Sequence, residues 1–134
     1  MTIEELKNKL KYSFSPYSHV QVACCAIEEN GKEYWGVNTE NAAFPSGLCA
    51  ERSALFGSVA YGARVGNFKE IHIISNLSKL LYPCGACAQV ISQFLKPDGD
   101  VYLYSFDLKQ QKHYKMKDIL PFAVAPKDIV DWEY

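Results

Sequence analysis

No stretch of this chain approaches the roughly 20 consecutive apolar residues that a membrane-spanning helix needs. No excess of one charge stands out either: 14 basic residues face 15 acidic ones, for a formal net charge of -1. That balance argues against broad phosphate-backbone binding, which needs clustered Lys and Arg, and leaves room for a nucleoside, which carries no phosphate. Low-complexity tracts, internal repeats and linker-like segments are missing as well. The opening segment, MTIEELKNKLK, mixes acids and bases and lacks the apolar core of a signal peptide. The expected place is therefore the cytoplasm, where thiols stay reduced. Histidine is scarce, and none of His19, His72 and His113 falls in a ligand-spaced motif. Five cysteines are an odd number for a disulfide framework, so they read as metal ligands, nucleophiles or small core residues.

What is present is the material of one domain spanning residues 1–134, with a hydrophobic fraction of 49%. Thr2 to about Tyr12 reads as a helix, with Thr2 as cap, Glu5 three residues on, and Ile3, Leu6 and Leu10 at helical spacing. Val20 to Ile27 reads as a buried strand that places Cys24 and Cys25 in the core. Glu29-Asn30-Gly31-Lys32 is a hairpin turn into a strand at Glu33 to Val37. Asn38 to Leu48 reads as a ligand-facing loop, and Cys49 to Tyr61 as a helix ended by Gly62. A strand at Glu70 to Ser75, a helix at Gly85 to Leu95 stopped before Pro97-Asp98-Gly99, and a strand at Val101 to Phe106 follow. Gln110-Gln111 is expected to turn into a short strand near His113 to Met116, with single helical turns near 116–120 and 126–130. Strands alternating with helices imply crossover connections, hence an α/β fold: a three-layer sandwich around a mixed sheet of about five strands.

The chemistry concentrates in two short segments, Cys49-Ala50-Glu51-Arg52 and Pro83-Cys84-Gly85-Ala86-Cys87. Three thiols without a fourth Cys or His at matching spacing suggest a zinc ion with an open fourth position, whereas structural zinc sites are normally closed by four protein ligands. Glu51 then reads as a proton carrier beside a water in that position. Both segments fall where a helix should start, and free backbone N–H groups and the positive end of the helix dipole favour thiolates there. Three thiolates outweigh the charge of one zinc ion, so the site is a net anion that two helix N-termini can stabilise. Arg52 is placed to hydrogen-bond a thiolate and draw charge off its sulfur.

Beyond the two cysteine segments, Ser15-Pro16-Tyr17-Ser18, Asn38-Thr39-Glu40-Asn41-Ala42-Ala43, Gln89-Val90-Ile91 and Leu120-Pro121 complete a pattern over nearly the whole chain. With them, the sequence resembles the small homotetrameric cytidine deaminases, whose superfamily signature includes three-Cys zinc sites and a Glu that is not a ligand. The resemblance implies that Cys49, Cys84 and Cys87 hold one zinc ion per subunit and that Glu51 shuttles protons. It implies that Asn38 and Glu40 bind the ribose hydroxyls, and that the Ala50 backbone lies near the pyrimidine carbonyl. An Asn and a carboxylate together offer a sugar edge both donors and acceptors. The implied reaction is hydrolytic deamination of cytidine and 2'-deoxycytidine to uridine and 2'-deoxyuridine, in pyrimidine salvage. The implied assembly is a homotetramer with active sites at subunit interfaces, without nucleic-acid or membrane partners.

Three positions depart from that pattern. Val20 and Val124 stand where the family usually carries Phe, and Ala88 where it usually carries Arg. Phe122 and Trp132 are candidates for the missing rings, from the same or a neighbouring subunit, and are equally readable as core or interface residues. The departures keep open a deaminase of a modified cytosine nucleoside of the blasticidin S kind. A non-catalytic zinc-stabilised binding protein is the alternative from another class.

Overall fold

The structure, a computed structural model, describes residues 1–131. Helix α1 (Ile3–Asn8) starts on a reciprocal cap: the Glu5 N–H donates to Thr2 Oγ1 at 3.1 Å, and the Thr2 N–H to Glu5 Oε1 at 2.9 Å. The helix expected to reach Tyr12 tightens after Asn8 into a 3₁₀ turn over Lys9–Tyr12. Strands β1 (Val22–Glu28) and β2 (Glu33–Val37) form the predicted hairpin, with Gly31 taking φ 87 in the turn. Helix α2 (Ala50–Ser58) continues as a 3₁₀ turn to Tyr61 and stops at Gly62, whose φ of 92 is left-handed. Strand β3 (Phe68–Ser75), helix α3 (Gly85–Phe94), strands β4 (Leu95–Tyr104) and β5 (Gln111–Lys115), and short helices α4 (Met116–Ile119) and α5 (Pro126–Ile129) follow.

The five strands make one mixed sheet in the order β2-β1-β3-β4-β5. Only β3 and β4 run parallel, and α3 is their crossover. β1 is buried along its whole length and alternates its side chains between two cores. Cys24 faces the larger core, with Leu55 of α2, Ile91 of α3 and Met116 of α4; Cys25 faces the smaller one, with Leu6 and Leu10 beneath the sheet. Helices thus cover both faces, and both cysteines are core residues as expected. On the α1 face, a cross-strand row of rings runs over β3, β4 and β5. His72 stacks on Tyr102 at 4.5 Å between centroids, and Tyr102 on His113 at 4.4 Å.

Two boundaries differ from expectation. Pro97-Asp98-Gly99 does not separate α3 from the next strand, because β4 begins at Leu95 directly after the helix. The tripeptide lies where the β3–β4 register shifts, with Phe68 opposite Leu95 and Glu70 opposite Asp100. Such an irregularity tolerates a Pro that cannot donate to the ladder. At the other end β4 stops at Tyr104 because Ser105 starts a turn. Its hydroxyl donates to Asp107 Oδ1 at 2.8 Å and accepts from the Gln110 N–H at 3.0 Å, so β5 begins at Gln111.

A close approach sets the position of α2. An added Cβ on Gly36 of β2 would meet the Ala50 carbonyl oxygen and lie 2.5 Å from the Ala54 nitrogen. Only a residue without a side chain lets the first turn of α2 lie this close to the sheet. That turn carries Glu51, and Cys49 stands at its cap. Among the described residues, no helix is long and apolar enough to cross a membrane.

Candidate active site

Cys49 and Cys84 are the N-cap residues of α2 and α3, and Cys87 sits one turn into α3. The two helices start side by side, so sulfurs from distant parts of the sequence converge: the three Sγ atoms all lie within 4.8 Å of one another. Cys87 is buried, Cys49 half-buried and Cys84 exposed, so the cluster is closed on the core side and open on the other. The Cys84 sulfur accepts the Cys87 N–H at 3.4 Å, an orphan donor of the helix start.

Charge around the sulfurs follows the same geometry. Hydrogen bonding from the Cys87 thiol, helped by the Arg52 guanidinium, holds Cys49 down at about 5 against the opposing effect of burial. The Cys87 thiol is correspondingly raised, first by that hydrogen bond to Cys49 and then by burial. Arg52 Nη2 donates to Cys49 Sγ at 3.6 Å. Arg52 Nε is buried and has no hydrogen-bond partner among the described residues. A half-buried guanidinium turned toward sulfur is an environment suited to a negative cluster. Glu51 is 5% exposed, and burial, followed by repulsion from Cys49, pushes its carboxyl up to about 7.

The donor set fits zinc. Thiolate sulfurs are preferred zinc ligands, three of them leave one position open, and the cap positions and Arg52 offset their charge. Among the described residues no further His, Cys, Asp or Glu joins the cluster; His72 is engaged by Tyr104 Oη at 2.8 Å and Glu70 at 3.1 Å, and His113 by Asp100 at 2.6 Å.

Asn38 and Glu40 lie just beyond the end of β2, and both are heavily engaged. Asn38 Oδ1 accepts the Val22 N–H at 2.9 Å and the Ser13 hydroxyl at 2.5 Å, while its Nδ2 donates to the Val20 carbonyl at 2.7 Å. Glu40 Oε1 accepts the N–H groups of Tyr17 and Ser18 at 3.0 and 3.1 Å, and its other oxygen accepts the Ser18 hydroxyl. These bonds hold Glu40 below its usual carboxylate range, the Ser18 hydroxyl foremost. The two residues therefore organise the Ser13–Ser18 loop, a role the sequence reading did not assign them. The signal was available in Ser15-Pro16-Tyr17-Ser18, whose small hydroxyls and turn-forming Pro suit a loop wrapped on polar side chains. Gly36 was missed too, because a lone Gly inside a strand pattern does not announce what approaches it.

Of the departing positions, Val20 packs partly buried against the larger core, and Ala88 is only 4% exposed. The Val124 carbonyl accepts Gln89 Nε2 at 2.9 Å, tying the C-terminal segment to α3. Phe122 is 97% exposed, which removes the core reading for it. Trp132 lies outside the described residues.

The fold and the cysteine site point to a class rather than a particular protein: an α/β sandwich whose two helix starts bring three sulfurs together in a cluster fit to hold a metal ion. Comparison with known proteins names the family. The model for the cytidine and deoxycytidylate deaminase zinc-binding region matches residues 2–103. The cytidine deaminase of Sporosarcina psychrophila is 34% identical over 95% of this chain and 91% of its own length. That of Mycoplasma genitalium is 37% identical over 88% of each. The crystal structure of cytidine deaminase from Burkholderia pseudomallei superposes with a TM-score of 0.82 at 34% identity, covering 92% of this chain and all of that one. The chain belongs to the cytidine and deoxycytidylate deaminase family.

Proposed function

We propose that this protein deaminates cytidine and 2'-deoxycytidine hydrolytically, releasing ammonia and uridine or 2'-deoxyuridine. The observation that carries the reading is the three-sulfur cluster with a buried carboxyl two residues after its first member. Cys49, Cys84 and Cys87 are the residues that would hold one zinc ion, and Arg52 offsets their charge. When bound there, zinc supplies Lewis-acid activation of water at its open position. Glu51 is the proton carrier: its carboxyl takes one proton from water and gives it to the ring nitrogen, then takes the proton of the newly added hydroxyl and gives it to the departing amine, which leaves as ammonia. Its burial keeps bulk solvent from competing for that proton. Ala50, at the first position of α2, presents backbone toward the pyrimidine carbonyl, and Asn38 and Glu40 meet the ribose. The chain works as a single domain in the cytoplasm, in pyrimidine salvage, and assembles as a homotetramer. Exposed Phe44, Phe56, Tyr61 and Phe122 supply apolar surface for that assembly.

The test is Glu51→Gln, which keeps shape and removes the titrating group. Ammonia release from cytidine should fall by about 10²-fold or more, while zinc content per chain and the melting temperature stay unchanged. Full activity in that variant would remove Glu51 from the mechanism. Silence of the wild type on both nucleosides, with zinc bound, would favour the alternatives: blasticidin S as substrate, or a non-catalytic zinc-stabilised protein.

A further inference from the structure

A cavity lies at the opposite end of α3 from the cysteines. Its volume is about 620 Å³, within the range of small-molecule sites. Three segments wall it: residues 64–67 before β3, residues 92–97 where α3 passes into β4, and residues of the 116–127 stretch. The ten residues of α3 put it about 15 Å from the metal centre. The walls are aliphatic, from Val65, Leu95, Met116, Leu120 and Val124, and no aromatic ring lines them among the described residues. Arg64, Lys96, Lys117 and Lys127 also line it, all exposed, with no carboxylate among the described lining residues. Among the described residues, none of the four cations joins an ion pair. The nearby Asp128 of α5 spends its carboxylate on the Ala125 N–H at 2.8 Å.

We propose that this cavity binds an amphipathic organic anion, an alkyl chain with a carboxylate or phosphate head. An aliphatic body gains by leaving water against the Leu and Val walls. Its head replaces the missing carboxylate among the four cations, whose mutual repulsion it relieves. A nucleotide fits the charge but not the walls, since the described lining is aliphatic and offers no ring to stack on a base. The site is separate from the cysteine cluster, so it stands or falls independently of the deaminase reading.

The experiment is calorimetric titration of the full-length, zinc-loaded assembly with decanoate, decyl phosphate, decyltrimethylammonium and cytidine 5'-monophosphate. The expected result is saturable binding of one or both alkyl anions, about tenfold or more tighter than the alkyl cation and weakening with added salt. The tighter of the two anions identifies the head group. Combined Lys96→Glu and Lys117→Glu substitutions should weaken anion binding about tenfold or more with an unchanged melting temperature. Methyl resonances of Val65 and Leu120 should shift on binding. Equal affinity for the cation, tighter binding of the nucleotide, or indifference to the double charge reversal would overturn the proposal. So would an absence of saturable binding, the result expected if a second copy of the chain fills the cavity in the assembly.

Discussion

Arg52 has little freedom to be anything else. Its guanidinium touches the Cys49 sulfur through Nη2, and its buried Nε finds no other acceptor among the described residues. At the position where the family resemblance implied a further Arg, this chain has the buried Ala88, which leaves Arg52 as the cation hydrogen-bonded to the cluster among the described residues. Replacing Arg52 by Ala should weaken zinc retention about 10- to 100-fold, measured by competition with a chelator. Arg52→Lys should recover only part of the loss, since an ammonium keeps the charge but not the planar fork. The cysteines and Glu51 were legible in the sequence because their meaning is local: the spacing of two short segments and the chemistry of sulfur suffice. The engagement of Asn38 and Glu40 was not, since their partners at Ser13 and Ser18 become neighbours only once the loop folds back.

At the level of elements, the N-terminal turn of α2 is held where it is by what Gly36 lacks. A methyl group there would collide with backbone atoms of Ala50 and Ala54, which have no rotamer by which to yield. Gly36→Ala should cost about 1–3 kcal/mol or more. It should also reduce activity beyond that loss, because the displaced turn carries Glu51; thermal melting and turnover together check both. The ring row across β3, β4 and β5 makes a second prediction. Lys115, at 2.7 Å, and His113, at 2.6 Å, hold the Asp100 carboxyl below its usual range. Burial lowers His72 from its usual value. Both groups bind protons more readily in the unfolded chain. Their contribution to stability is therefore complete above the unfolded-state values, near neutrality for His72 and near pH 4 for Asp100, and is lost as pH falls through the folded ones. Urea midpoints measured from pH 7 downward should fall, and Asp100→Asn should flatten the lower part of that slope. Helices and strands themselves were mostly legible, because the hydrophobic period and caps are written locally. The start of β4 was not: Pro97-Asp98-Gly99 has the composition of a break, and only the bulged pairing with β3 makes it strand.

For the whole molecule, the mixed sheet with helices on both faces followed from alternating strands and helices, but the strand order and the surface did not. Phe44, Phe56, Tyr61, Phe122 and Ile129 each expose more than half of their area, a burden for a chain that stays alone in water. Sedimentation should show a tetramer, and Phe122→Asp should shift it toward smaller species while leaving each chain folded. A monomer at micromolar concentration would overturn the assembly.

The hydrogen bonds of Asn38 and Glu40 carry a consequence for selectivity. A carboxylate offers about four acceptor positions and an amide nitrogen two protons. Glu40 has filled three of its positions with the Ser13–Ser18 loop, and Asn38 has one proton free. If the pair meets the sugar as proposed, one acceptor position and one proton remain for it, and a single hydroxyl, which gives one proton and takes another, exhausts both. A pair so nearly saturated would tell a sugar from bare ring without counting its hydroxyls, so cytidine and 2'-deoxycytidine should be turned over at similar rates, which parallel kinetics on the two nucleosides check.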